Sequence, residues 1–192
     1  MIRHTRDLRR EALQAYDAII DVRSPGEFAV DHLPGAVNLP VLDDGQRVEV
    51  GTLYVQRSKF LARRTGAAHV AGNIARHLRT GFAGRDGSFR PLVYCWRGGQ
   101  RSTAMVTVMD QVGWPVTQLE GGYQTWRRRV VADLYGTGDG ELSALKVILL
   151  DGLTGVGKTR VLQALGGEGV QTLDLEAMAD HRGSLFGATP QV

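Results

Sequence analysis

Only one cysteine, Cys95, occurs in 192 residues, which excludes an internal disulfide framework and any multi-cysteine metal site. Lysine is scarce as well: Lys59, Lys146 and Lys158 are the only three, so the net charge of +3 and the pI of 9.3 come almost wholly from arginine. Arginine suits phosphate and nucleic-acid contacts, yet a GC-rich genome leaves the same bias, and charge alone does not decide between the two. No apolar run approaches the roughly 18 residues of a membrane span, and the opening MIRHTRDLRREAL lacks the apolar segment of a secretory signal. The expectation is a cytoplasmic protein with no membrane partner. What is present, 43% hydrophobic and 22% charged residues, is ordinary globular material of a length for one or two domains.

The single cysteine lies in PLVYCWRGGQRS, Pro91 to Ser102. Leu92, Val93 and Tyr94 form an apolar, β-favouring run and Thr103 to Val112 reads as a helix, so Cys95 falls where a strand ends. A strand-loop-helix turn aims backbone N–H groups and the positive end of a helix dipole at an anion in the loop, and the same field favours a thiolate. Gly98 and Gly99 let the backbone curl without a clash, while Arg97 and Arg101 bring positive charge beside the sulfur. Trp96, Gln100 and Ser102 complete the loop; Trp96 either stacks on a ligand or packs the loop's wall. Cys95 reads as a nucleophile, since an inert core thiol does not need the glycine pair and two arginines.

Ahead of this loop, DAIIDV (Asp17 to Val22) is a buried strand followed by Arg23-Ser24-Pro25, with Ser24 placed to cap a short helix and Pro25 at its first position. Asp21 and Arg23 are candidates for orienting the reactive loop from the neighbouring strand end. A second short strand is expected between His32 and Pro40, and His32 itself reads as structural rather than catalytic. Asp43 to Gly45 reads as a loop, followed by helices at Val50 to Arg64 and Ala67 to Leu78, broken at Thr65-Gly66. Ala67, Val70, Ala71, Ile74, Ala75 and Leu78 have helical spacing for a core face, and Arg63, Arg64, Arg76 and Arg79 form either a solvated face or a stripe toward a nucleic acid. Beyond the loop, Val116 to Leu119 is a strand, and Glu120-Gly121-Gly122 turns into a helix from Tyr123 to Asp133 bearing Arg127, Arg128 and Arg129. Strands alternating with helices predict an open, mainly parallel α/β sheet with helices on both faces and the reactive loop at a strand's carboxyl end.

YGTGDGELS, residues 135–143, reads as a linker between a domain at 1–134 and a second at 144–192. There Ala144 to Leu150 reads as a buried strand, and Gly152, Thr154, Gly155, Val156, Gly157, Lys158 and Thr159 fill the phosphate-binding P-loop pattern. Its N–H groups wrap phosphates, Lys158 reaches the terminal ones and Thr159 can hold Mg²⁺. A helix from Arg160 to Leu165 and a strand from Val170 to Leu173 follow, and only some 33 residues stand after Thr159. The expectation is the start of a P-loop α/β domain, with no second acidic motif for Mg²⁺ in view.

With both loops in hand, the chain resembles a known family. DVRSPGEFAVDHLPGAVNLP looks like the opening of a rhodanese domain, YCWRGGQRS like its active-site loop and EGGYQTWR like the segment after it. The order CWRGGQRS, GLTGVGKT and DLEAMADHRGSLFG is similar to the tRNA 2-selenouridine synthases over nearly the whole chain. That resemblance implies replacement of the 2-sulfur of wobble thiouridine in tRNA by selenium, through a geranylated intermediate. It implies selenophosphate and geranyl diphosphate as co-substrates, no tightly bound cofactor, and a selenophosphate-producing enzyme as supplier. Cys95 aligns with the essential rhodanese cysteine and Gly152 to Thr159 with the family's P-loop, whereas the chain stops where the family's second domain has barely begun, as a truncated form would.

Alternatives stay open on the residues alone. A stand-alone sulfurtransferase needs only the first loop. The five residues between Cys95 and Arg101 also suit a cysteine-dependent phosphatase or arsenate reductase, although neither Asp86 nor Asp110 has the position of a general acid. A non-catalytic fragment that binds tRNA is the third reading, and a simple P-loop kinase or ATPase the fourth.

Overall fold

The computed structural model describes residues 1–136, 146–153 and 155–179. The chain divides into two units, 1–143 and 144–192. In the first, β1 (Arg3–Thr5), β2 (Ala18–Asp21), β3 (Ala36–Asn38), β4 (Pro91–Tyr94) and β5 (Thr117–Leu119) form one sheet in the order β1-β5-β4-β2-β3. Every pairing is parallel, with Ile20 opposite Val37 and Val93, and Val93 opposite Gln118.

Alternate residues of these strands feed two cores, as the period-2 geometry of a strand requires. On one face Ile20, Val22, Val93, Cys95 and Val116 pack against Ile74 of α4 (Lys59–Thr80) and Met105, Val106 and Met109 of α5 (Gln100–Val112). On the other, Ile19, Leu92, Tyr94 and Leu119 meet Leu13 of α1 (Arg10–Gln14) and Tyr123 and Trp126 of α6 (Tyr123–Leu134). Covering both faces is what permits a fully parallel sheet of apolar strands, so the expected open α/β architecture with helices on both faces is the one observed. β1 and α1 were not anticipated: RHT has no apolar run, and it becomes a strand only because β5 offers it an edge.

Helix α2 (Pro25–Val30) begins as expected, with Ser24 and Glu27 forming a reciprocal capping box. The next pair of helices differs from the sequence reading. Asp43 is not in a loop but caps α3 (Asp44–Gln56), in a capping box with Gln46. The break then falls at Arg57-Ser58, where the Ser58 hydroxyl accepts from Leu61 N–H, and α4 runs unbroken through Thr65-Gly66. Gly66 is a contact rather than a breaker: it is buried, and a Cβ there would lie 3.4 Å from Val50 of α3. The buried face of α4 is also rotated from the expected one. Ala67 and Ala71 are exposed, while Asn73 and His77 are buried because their side chains bond the carbonyls of Val41 and Pro40. Arg63, Arg64, Arg76 and Arg79 are all exposed.

In the second unit α7 (Lys158–Gly167) and α8 (Leu175–Met178) are the regular elements among the described residues. The strands expected at Ala144 to Leu150 and Val170 to Leu173 are absent where described: 146–150 and 170–173 carry no ladder, and Val147, Ile148 and Leu149 are 80–86% exposed. A lone extended segment has no partner for its N–H and C=O groups, and strand propensity alone does not supply one. Residues 137–143 of the expected linker, and Thr154 of the expected P-loop, lie outside the described residues.

Candidate active site

Cys95 follows directly on β4, and its loop closes into α5, whose N-cap is Gly99. The loop is shaped from outside by the turn between β5 and α6. The first N–H groups of α6, Tyr123 and Gln124, donate to the carbonyls of Cys95 and Trp96 at 2.8 and 3.2 Å. Those carbonyls are thereby turned away from the loop's centre. Among the described residues, no backbone N–H from Trp96 to Ser102 finds an acceptor in the chain, which leaves a ring of donors continuous with the positive end of α5. The approach is tight enough to demand glycine: a Cβ on Gly122 (φ 58°) would stand 2.1 Å from the Cys95 carbonyl oxygen, and one on Gly98 (φ 66°) 2.8 Å from the Leu119 oxygen.

Cys95 is 3% exposed, and its sulfur lies 3.2 Å from Ser102 Oγ and 3.8 Å from the Gly99 carbonyl. Beside the loop lies a pocket of about 320 Å³. Trp96 and Tyr123 form its aromatic wall, their rings stacked with centroids 5.3 Å apart. Arg23, Arg47, Arg101 and Arg127 and the carboxylates Glu27 and Asp31 bring charged groups to a lining that is otherwise largely apolar.

Asp21 and Arg23 sit under this wall. Both are buried, joined by an Nη2–Oδ2 bond of 2.6 Å, and Arg23 also donates to the Asp31 carbonyl at 2.6 Å. Its guanidinium lies 4.1 Å from the centroid of Tyr123, whose hydroxyl donates to the Asp31 carboxylate. The pair thus lies against Tyr123, at the start of α6, and the guanidinium is 5.9 Å from the centroid of Trp96 on the loop itself. His32 stacks on Phe28 and bonds its carbonyl, a local packing role.

The two loop arginines have different surroundings. Arg97 is exposed, but Arg101 does not lie free beside the sulfur: its Nη1 holds Glu27 Oε2 at 2.6 Å, and Arg47 Nε reaches the same oxygen at 3.2 Å. Helix α2 places Glu27 opposite α5, so a carboxylate takes the charge that the spacing in sequence had assigned to the sulfur. A phosphatase would need that guanidinium over the loop. Burial pushes the Glu27 carboxyl up, but the bonds from Arg101 and the Ser24 N–H prevail and hold it below its ordinary value of 4.5. A group depressed in the folded state stabilises the fold fully above its unfolded value and loses that contribution as pH falls through the folded one. Urea midpoints followed from pH 6 down to about pH 3 are thus expected to fall less steeply in Glu27→Gln than in the native chain.

Glu27, Asp31, Tyr123, Gly122 and Gln118 were not picked out as site residues. The Ser24-x-x-Glu27 box and the EGGY turn were visible signals for three of them; nothing local marks Asp31 or Gln118.

In the second unit, Gly152, Gly155 and Gly157 all have positive φ, and Gly157 is the N-cap of α7. Lys158 Nζ folds back onto the carbonyls of Gly152 and Leu153 at 2.5 and 2.9 Å, while Val156 and Thr159 are exposed at the loop's rim. Among the described residues no group of three or more metal-ligating side chains occurs.

A family model described as a rhodanese-like domain matches residues 5–129, and one described as the tRNA 2-selenouridine synthase AAA domain matches residues 145–192. A tRNA 2-selenouridine synthase of Chromohalobacter salexigens is 36% identical over 173 residues, which cover 90% of this chain and 45% of that protein. Another, from Nitrosomonas europaea, is 36% identical over 170 residues, covering 88% and 43%. The chain thus spans somewhat under half the length of these curated relatives. Among solved structures, the N-terminal domain of a Clostridium difficile 630 protein with a proposed ATP/GTP-binding role superposes with a TM-score of 0.56 at 31% identity, over 68% of this chain and 99% of that one.

Proposed function

This chain belongs to the rhodanese-like domain family, and from that membership we propose that Cys95 carries sulfur or selenium, as a persulfide or selenosulfide, for exchange of the 2-sulfur of wobble thiouridine in tRNA. The observation that supports the reading most is the ring of N–H groups from Trp96 to Ser102 with no acceptor of its own. A chalcogen anion on Cys95 would bring the negative charge those donors lack. The thiolate attacks the outer sulfur of a sulfane donor such as thiosulfate; the S–S bond of the donor breaks, sulfite leaves with the electron pair, and the persulfide anion remains on the protein; with selenosulfate the same attack falls on selenium, sulfite again leaves, and the selenosulfide anion remains.

Selenophosphate and geranyl diphosphate are the co-substrates of this reading, and the P-loop is the element suited to their phosphates. Lys158 and the N–H groups opened by Gly155 and Gly157 would hold the charge of a departing diphosphate. Mg²⁺, where bound, would supply charge neutralisation on that diphosphate, and Thr159 in the first turn of α7 is the side chain placed to hold it. The exposed Arg97, with Arg47 and Arg127 at the pocket, suits the phosphates of a tRNA anticodon loop.

The test is incubation of the chain with tRNA bearing 2-thiouridine, selenophosphate and geranyl diphosphate, followed by nucleoside mass analysis. Geranylated thiouridine or 2-selenouridine is expected. Unchanged thiouridine from a chain whose Cys95 nonetheless takes sulfur from thiosulfate would favour the stand-alone sulfurtransferase, a reading that the sheet and loop of residues 1–136 also support.

A further inference from the structure

Gln118 is a polar side chain where the strand pattern calls for an apolar one. It lies on β5 opposite Val93, two residues on from Val116, and so shares the face of the sheet packed with Val93, Cys95 and Met105. It is 4% exposed. A buried primary amide is costly unless its donors are used, and a leucine or methionine would fill the same space. All three acceptors of its Nε2 lie in the reactive loop and the first turn of α5: Ser102 Oγ at 2.9 Å, the Gly98 carbonyl at 3.1 Å and Thr103 Oγ1 at 3.2 Å.

The bond to Ser102 has a consequence for the sulfur. A hydroxyl has one proton and two lone pairs. With Gln118 donating into one lone pair, the Ser102 proton points either to the Gly99 carbonyl, 3.1 Å away, or to Cys95 Sγ, 3.2 Å away. When Cys95 is a thiol, its own proton can go to Gly99 or Ser102 and the serine donates to Gly99. When the proton leaves, the serine hydroxyl can rotate and donate to the sulfur, and because Gln118 holds the oxygen this needs no movement of the chain.

We propose that Gln118 is a positioning residue that fixes Ser102 so that its hydroxyl donates to the Cys95 sulfur whenever that sulfur is negatively charged. This rests on the reading of Cys95 as the nucleophile. The charged groups around the loop are Arg97 on the loop itself, Arg101 with Glu27 of α2 and Arg47 of α3, Arg23 with Asp21 at the end of β2, and Asp31 and Arg127 beside Tyr123. None is altered by substitution at 118 or 102, so differences among variants report the hydroxyl and its holder.

The experiment follows the rate of alkylation of Cys95 by iodoacetamide against pH, by intact mass, in the full chain. Gln118→Leu is expected to move the midpoint upward and slow alkylation at pH 7 by about tenfold, with the same plateau at high pH, as loss of one hydrogen bond to a charged acceptor implies. Ser102→Ala is expected to shift it the same way and Ser102→Thr to restore it. In the Ser102→Ala background, Gln118→Leu should add nothing, because the amide acts through the serine. Thermal melts establish that each variant is folded, and Gln118→Met serves if the leucine variant is not. A folded Gln118 variant with the native midpoint overturns the proposal, as does a full further shift when the serine is already gone. A native chain whose Cys95 takes up sulfur while these variants behave alike refutes Gln118 alone; a native Cys95 that neither alkylates nor takes up sulfur refutes the nucleophile reading with it.

Discussion

Cys95→Ser is expected to abolish chalcogen uptake. After incubation with thiosulfate or its selenium analogue selenosulfate, each of which releases sulfite, the native chain should gain one reducible chalcogen adduct by intact mass, and the variant none, a loss on the order of a thousandfold or more, since no other cysteine exists to take over. The fold should survive the change. Serine is close to cysteine in size, and at this 3% exposed position its hydroxyl finds Ser102 and the Gly99 carbonyl as partners, so the cost in stability should be about 1–2 kcal/mol. An adduct that persists in the variant, or a native chain that takes up nothing while hydrolysing an aryl phosphate, would move the assignment away from chalcogen transfer.

Gly122→Ala should be nearly as damaging although residue 122 carries no chemistry. The new Cβ would lie 2.1 Å from the Cys95 oxygen and 2.6 Å from the Gly98 nitrogen, and both are backbone atoms that no rotamer change can move. Either α6 withdraws, and the Tyr123 and Gln124 N–H groups lose the carbonyls they hold, or the loop turns and its donors no longer converge. Both routes cost about 2–4 kcal/mol of stability, and sulfur uptake should fall roughly a hundredfold or more because the donor ring is misplaced by about an ångström. Gly35→Ala is the control, with a comparable positive φ of 75° but no atom within 4 Å of the new Cβ. It should lose about 1 kcal/mol or somewhat more and take up sulfur at the native rate. Native uptake by Gly122→Ala would show that the turn does not shape the loop.

Much of the site was legible because its first layer is contiguous. Cys95, its glycines and the start of α5 occupy eight consecutive residues, and each has a local reason: an apolar run ends, glycine takes a positive φ, a helix begins. Ser24 as a cap and Pro25 as a first helical residue were legible for the same cause. Errors arose where the same local signal admitted two uses. Gly66 reads as a breaker in sequence and is a helix-packing contact in the fold, because a missing side chain serves equally to end a helix or to admit a neighbour. Ala144 to Leu150 reads as a buried strand, yet burial and pairing have to come from other segments, and the described residues provide none.

By itself, then, the sequence determined which cysteine is the candidate nucleophile, the glycine-rich loop behind it, the alternation of strands and helices and the P-loop pattern, all properties of residues within reach of one another along the chain. Only the tertiary structure decided that Arg101 is bound by Glu27, 74 positions away, that Tyr123 bonds Asp31, 92 positions away, and that Gln118 holds Ser102. The reason is the strand order. Placing β4 between β5 and β2 buries both faces of its apolar run, and that same placement brings the ends of β2 and β5, with α2 and α6 attached, to either side of the cysteine. Such neighbours are chosen by burial over the whole sheet, so no stretch of sequence around Cys95 carries them.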